Sequence, residues 1–139
     1  MVAITRDNRI HCSGSLISRT HILTAAHCVH NPSYKEENVV LTQDQLNFFE
    51  LYFGLTNWSE YDPDDFFGSG ETRKIKHIHV HPGYKKPQKY HDLAILEVDE
   101  DLPFTTEIQP ICLPLETSPN SDNRARFSFR LSGFGLTTK

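Results

Sequence analysis

His21-Ile22-Leu23-Thr24-Ala25-Ala26-His27-Cys28-Val29 is the stretch from which the architecture is read. Its first four residues predict a short strand, and Ala25 to Val29 can close one helical turn. Upstream, Arg9 to Ile17 predicts a strand with a bend at Gly14. Downstream, Asn38 to Thr42 and Phe48 to Leu55 carry the β-branched and aromatic residues that favour strands. Arg73 to Val80 alternates, with Ile75, His77, His79 and His81 set against Lys74, Lys76, Ile78 and Val80. That period of two predicts a strand. His81-Pro82-Gly83-Tyr84 ends it with turn chemistry. Leu93 to Val98 is apolar apart from Glu97, as expected of a buried strand, and Phe127 to Phe134 begins one more. Asn57 to Gly70, with Pro63, Gly68 and four acidic residues, predicts a loop. Thr105 to Pro119 holds Pro110, Pro114 and Pro119 and predicts an extended linker. Many short strands with turns between them predict an all-β barrel or sandwich. No stretch sustains a 3.6-residue apolar period, which excludes a helical bundle.

The composition narrows the function classes. The 139 residues are 37% hydrophobic and 23% charged, with a net charge of -4. Mean hydropathy is -0.47 and the pI is near 6.0. These are values of an ordinary folded domain, and they give no reason to expect nucleic-acid binding. No apolar run approaches the roughly 20 residues of a membrane-spanning helix, so no membrane partner is expected. Met1-Val2-Ala3-Ile4 lacks the basic and apolar regions of a signal peptide. With three cysteines, at least one thiol has no partner within the chain. The odd cysteine, the strand-like start and the end at Lys139 are the pattern expected of a fragment.

Six short motifs carry a family resemblance. Leu23-Thr24-Ala25-Ala26-His27-Cys28 resembles the histidine motif of the trypsin-like (chymotrypsin-fold) serine endopeptidases, and His91-Asp92-Leu93-Ala94-Ile95-Leu96 resembles their aspartate motif. His11-Cys12-Ser13-Gly14-Ser15-Leu16-Ile17 and His81-Pro82-Gly83-Tyr84 match in the family's order. So do Ile108-Gln109-Pro110-Ile111-Cys112-Leu113-Pro114 and Leu131-Ser132-Gly133-Phe134-Gly135. The resemblance covers nearly the whole chain. It implies the first antiparallel β-barrel of a two-barrel fold over 1–110, a linker over 111–126, and the first strand of a truncated second barrel over 127–139.

The resemblance implies that His27 is the general base of a Ser-His-Asp triad and that Asp92 orients it. An imidazole with a pKa near 6.5 can take and return a proton at neutral pH. A carboxylate on its other nitrogen fixes the tautomer and stabilises the imidazolium. Read without the motifs, His27 could be a core histidine and Asp92 a strand-start cap. The family's nucleophile lies in a Gly-Asp-Ser-Gly-Gly segment after the aspartate, and residues 93–139 contain none. Gly68-Ser69-Gly70 precedes Asp92, against the family's order, and reads as a turn. The oxyanion-hole amides belong to the same missing half. The chain alone is therefore expected to be inactive, with peptide or protein as the substrate of the complete enzyme. The alternative from another class is a non-catalytic homologue acting as a binding or regulatory module.

Cys12 and Cys28 match the family disulfide that clamps the histidine loop, worth about 3 kcal/mol in the entropic account. Cys112 resembles the cysteine that tethers the catalytic domain to a pro-region through an inter-chain bridge. Asn57-Trp58-Ser59 is an N-glycosylation sequon, which fits a secreted, extracellular protein. His77, His79 and His81 make a stripe whose imidazoles could bind zinc or copper. The family turn accounts for His81, however, and alternation alone does not bring three nitrogens onto one ion. Calcium is not expected either, because Leu55 stands where calcium-binding members carry a glutamate. No metal or cofactor is expected. Lys85, Lys86, Lys89 and Tyr90 would rim the substrate cleft.

Overall fold

In this computed structural model, residues 1–7, 9–29, 43–55, 70–88, 90–114 and 130–134 are described. The strands are β1 (Val2–Arg6), β2 (Arg9–Leu16), β3 (His21–Thr24), β4 (Phe49–Phe53), β5 (Glu71–Arg73), β6 (Ile75–Val80) and β7 (Ala94–Val98). Two single-turn helices, α1 (Ala26–Val29) and α2 (Gln43–Leu46), interrupt them. All pairings are antiparallel and form one sheet in the order β5-β4-β1-β2-β3-β7-β6. The two edge strands, β5 and β6, are consecutive in the chain, with Lys74 alone between them. Both edges are therefore held by one bent segment, and the sheet curls around its core. This is the all-β half-barrel that the strand pattern predicts.

Two corners make the curl. At the first, Lys74 donates its N–H to Asp99 Oδ1 (3.3 Å), and its carbonyl accepts from the Asp99 N–H (3.2 Å). Its ammonium pairs with Glu50 of β4, and that contact, aided by the Tyr52 hydroxyl, holds the Glu50 carboxyl below its usual range. At the second corner β2 changes partner. Gly14 lies opposite Val2 of β1, whereas Ser15 lies opposite Leu23 of β3. An added Cβ at Gly14 would meet Ile22 Cγ2 at 2.7 Å and the Leu23 carbonyl oxygen at 3.1 Å. Only glycine permits that approach. The bend expected at Gly14 is present.

The inward faces build one apolar core. Val2, Ile4, Ile22, Leu51, Leu96 and Leu102 are wholly excluded from solvent, and Phe53 and Ile75 nearly so. Burying each such side chain contributes roughly 1.5–3 kcal/mol of transfer free energy.

The structure departs from the sequence expectations in several places. Arg73 to Val80 is not one strand: it breaks at Lys74, and its register slips between Ile75 and His77. Ile75 consequently turns inward while His77 and His79 face out, and His81 lies beyond the strand end. β4 and β7 are shorter than Phe48–Leu55 and Leu93–Val98. The α2 turn has no counterpart in the sequence reading, because four residues are too few to show a helical period. The segment after β7 is irregular through 105–114, as a linker should be, yet it is anchored. Leu102 and Ile108 are buried. The Leu102 N–H donates to the Arg19 carbonyl (2.9 Å), and the Arg19 guanidinium returns a bond to the Leu102 carbonyl (3.0 Å). The same guanidinium covers the Phe104 ring at 4.0 Å.

Residues 130–134, the described part of the segment expected to begin a further strand, are irregular. They return to β2, where the Phe134 N–H donates to Ser13 Oγ at 2.9 Å. The strand expected at Asn38–Thr42 and the Asn57 sequon lie outside the described residues.

Candidate active site

Sheet register assembles the site. Thr24, the last residue of β3, lies opposite Ala94, the first of β7. The end of one strand and the start of the other therefore meet at the same end of the sheet. The α1 turn carries His27 just past Thr24, and Asp92 stands just before Ala94. Residues 65 positions apart thereby come into contact: His27 Nδ1 donates to Asp92 Oδ2 at 2.6 Å, and the His27 backbone N–H donates to Asp92 Oδ1 at 2.8 Å. A carboxylate only accepts, so the shared proton sits on Nδ1 and the neutral ring keeps its lone pair on Nε2.

The pair is graded in exposure. The His27 side chain is 59% exposed and that of Asp92 is 23% exposed. Burial acts to raise the Asp92 pKa, but the His27 N–H, the His27 imidazole and the Ala26 amide outweigh it. Asp92 is held below its ordinary value, and therefore ionised at neutral pH.

A small buttress fixes Asp92 from behind. The Leu93 N–H donates to the His91 carbonyl at 2.8 Å, which makes a three-residue turn with Asp92 at its apex. His91 adopts a φ of 56°, a left-handed conformation that surrounding contacts must hold. The contacts are present. The His81 ring stacks on His91 at 4.7 Å between centroids, with the planes 5° apart. His81 Nδ1 accepts the Gly83 N–H at 3.0 Å, and the His81 N–H donates to the Leu93 carbonyl at 2.9 Å. Gly83 lies so close that an added Cβ would be 2.8 Å from His91 Cδ2. The Tyr84 phenol is pushed up first by burial and then by the Asp92 charge, which marks it as a neighbour of the site. Sequence reasoning saw Gly83 as turn chemistry and His91 only as a motif flank. Its single clue was the Pro82-Gly83 turn.

Cys12 of β2 and Cys28 of α1 form a disulfide with Cα atoms 6.0 Å apart, closing a loop of 16 positions. It ties the turn bearing His27 to the barrel wall. Cys112 is an exposed free thiol. Lys85, Lys86 and Tyr90 are exposed around the Asp92 loop, whereas Lys89 and Ser69 lie outside the described residues.

The comparisons bear on the whole chain. The sequence model of the Trypsin family matches residues 1–139. The chain is 34% identical over 115 residues to CLIP domain-containing serine protease B10 of Anopheles gambiae, covering 81% of this chain and 31% of that protein. It is 31% identical over 118 residues to Hypodermin-A of Hypoderma lineatum, covering 85% and 38%. Against Clotting factor C of Tachypleus tridentatus it is 29% identical over 127 residues, covering 91% and 12%. The chain thus spans well under half the length of the curated relatives it matches. Strand content, sheet order and family match agree: the chain belongs to the trypsin family, and its curled seven-stranded sheet is the first barrel of that fold.

Proposed function

We propose that this chain supplies the base and its orienting carboxylate, His27 and Asp92, to a serine endopeptidase. The observation that carries the reading is the double grip of Asp92 on the Nδ1 and the backbone amide of His27. That grip leaves Nε2 as the basic nitrogen. In the reaction, Nε2 takes the proton of a serine hydroxyl as its oxygen attacks the peptide carbonyl. The imidazolium then protonates the leaving amine, and a water molecule repeats the sequence to release the acid. The serine and the oxyanion donors come from polypeptide outside residues 1–139, which contain no Gly-Asp-Ser-Gly-Gly segment. The finer organisation follows the same reading, with a barrel over 1–110, a linker over 111–126 and the start of a second barrel from 127. Cys112 would tether a pro-region, Asn57 would carry a glycan, and the protein would act outside the cell. The exposed Cys112 thiol and the Cys12–Cys28 bridge support this, since disulfides persist in oxidising compartments.

The test compares the 139-residue chain with the longer protein that includes its flanking sequence. The short chain should neither turn over peptide amides nor react with fluorophosphonate probes. The longer protein should do both and lose about 10⁴ in kcat on Asp92→Asn. Unchanged turnover in a His27→Ala variant would sink the proposal. Glycine in place of the serine, with binding but no turnover, would mark a regulatory homologue.

A further inference from the structure

The outer face of the sheet carries a second gathering of imidazoles about a carboxylate, and it does not involve His27. Register builds it. His77 of β6 lies opposite Glu97 of β7, and Glu97 lies opposite His21 of β3. The slip between Ile75 and His77 turns His77 and His79 outward on the face that Glu97 occupies. Directly paired residues share a face, as do residues two apart on one strand. His77 Nδ1 consequently lies 3.1 Å from Glu97 Oε2, and His79 Nε2 lies 3.6 Å from the same oxygen. The two rings stand 6.2 Å apart between centroids.

We propose that His77, His79 and Glu97 bind a divalent transition-metal ion of the zinc class. Imidazole nitrogen and carboxylate oxygen are ligands that such ions accept. With metal–ligand bonds of about 2.0–2.1 Å, neighbouring donors in a tetrahedral site lie roughly 3.3 Å apart. The observed nitrogen-to-oxygen distances of 3.1 and 3.6 Å bracket that edge. The two nitrogens stand farther from each other than either does from Oε2, so an ion would have to draw both side chains together, and at 53% and 60% exposure both have room to turn. Water completes the shell. Lys76 sits on the other carboxylate oxygen, Oε1, at 3.3 Å, where it orients Glu97 and leaves Oε2 to the ion. His21 is not counted, because its Nδ1 is engaged by the Ser18 and Thr20 hydroxyls at 3.0 and 2.8 Å. Nor is His81, which lies past the strand end and stacks on His91. The third donor that the histidine stripe lacked comes from the neighbouring strand.

The ion would clamp β6 to β7, and the proposal stands whether or not the protein is a protease. The test uses the full chain with Cys112→Ser, which removes the exposed thiol as a competing ligand. Titration calorimetry with zinc should show one site. His77→Ala, His79→Ala and Glu97→Gln should each weaken it at least about tenfold, with circular dichroism confirming that each variant folds. Zinc should raise the Tm of the parent but not of the His77→Ala, His79→Ala double variant. His27→Ala should keep the affinity. Cobalt bound to the parent should give the d–d absorption of a nitrogen and oxygen site, a readout that needs no variant. Failure of the parent to bind zinc, undiminished binding in the double variant, or loss of binding in His27→Ala would each overturn the proposal.

Discussion

Strand β7 has a histidine–carboxylate contact at each end, and the two are built differently. At its start, Asp92 holds His27 with one oxygen on the ring and the other on the backbone N–H, at 2.6 and 2.8 Å. At its far end, Glu97 shares its oxygens among the exposed tips of Lys76, His77 and His79, at 3.1 to 3.6 Å. Both carboxylates are held below their ordinary range, but by different partners. Asp92 overcomes burial with fixed amides and one imidazole, whereas Glu97 is lowered chiefly by the His77 hydrogen bond. Backbone donors cannot swing away. The comparison teaches that precision at Asp92 comes from the main chain and the buttress beneath it, whereas Glu97 offers a loose site that a ligand could organise.

The largest expected effect tests the rigid end. In the longer protein, Asp92→Asn should lower kcat by about 10⁴, because the wrong tautomer of His27 then predominates. A loss under tenfold would mean the double grip has no catalytic role. Next, replacing both Cys12 and Cys28 by serine should cost about 3 kcal/mol in urea unfolding. If the midpoint stays put, the α1 turn does not depend on its tie to β2. Third, Gly83→Ala should destabilise by about 1–3 kcal/mol through overpacking against His91. The imidazole resonances of His27 should shift with it, since the buttress sets Asp92. Smallest is the acid limb of stability. Asp92 has a depressed folded pKa, so its contribution is complete above the ordinary carboxylate range and vanishes as pH falls through the folded value. Asp92→Asn should flatten that limb below about pH 4, in a pH series of thermal melts. Glu97→Gln should flatten it less, and the difference should disappear in high salt, as expected of an exposed pair.

The sequence was most legible where chemistry and local structure coincide. Leu23 to Cys28 shows both a strand and its closing turn, and Gly14 shows a bend that the Ile22 side chain then explains. His27 and Asp92 were paired in the sequence only through the motif resemblance, and what brings them together, Thr24 lying opposite Ala94, was not visible. The slip at Ile75 was hidden for a related reason. An extra residue in one strand leaves the written alternation unbroken while reversing which face each side chain occupies. Ile75 therefore read as a neighbour of the histidines and is instead core. Glu97 could not be joined to His77 from one strand alone. The left-handed His91 gave no signal, because that conformation stays uncommon even for histidine, one of the residue types enriched in it.

The reach of 65 positions between His27 and Asp92 also sets an order of events. Contacts of long sequence separation must repay the entropy of closing the intervening loop before they stabilise the chain. His27 leaves the ribosome well before Asp92 and waits for β7 to dock beside β3. Until that docking is complete, the imidazole has no carboxylate and no fixed tautomer. A chain that stalls midway through folding therefore lacks the His27–Asp92 pair, which forms together with barrel closure rather than ahead of it.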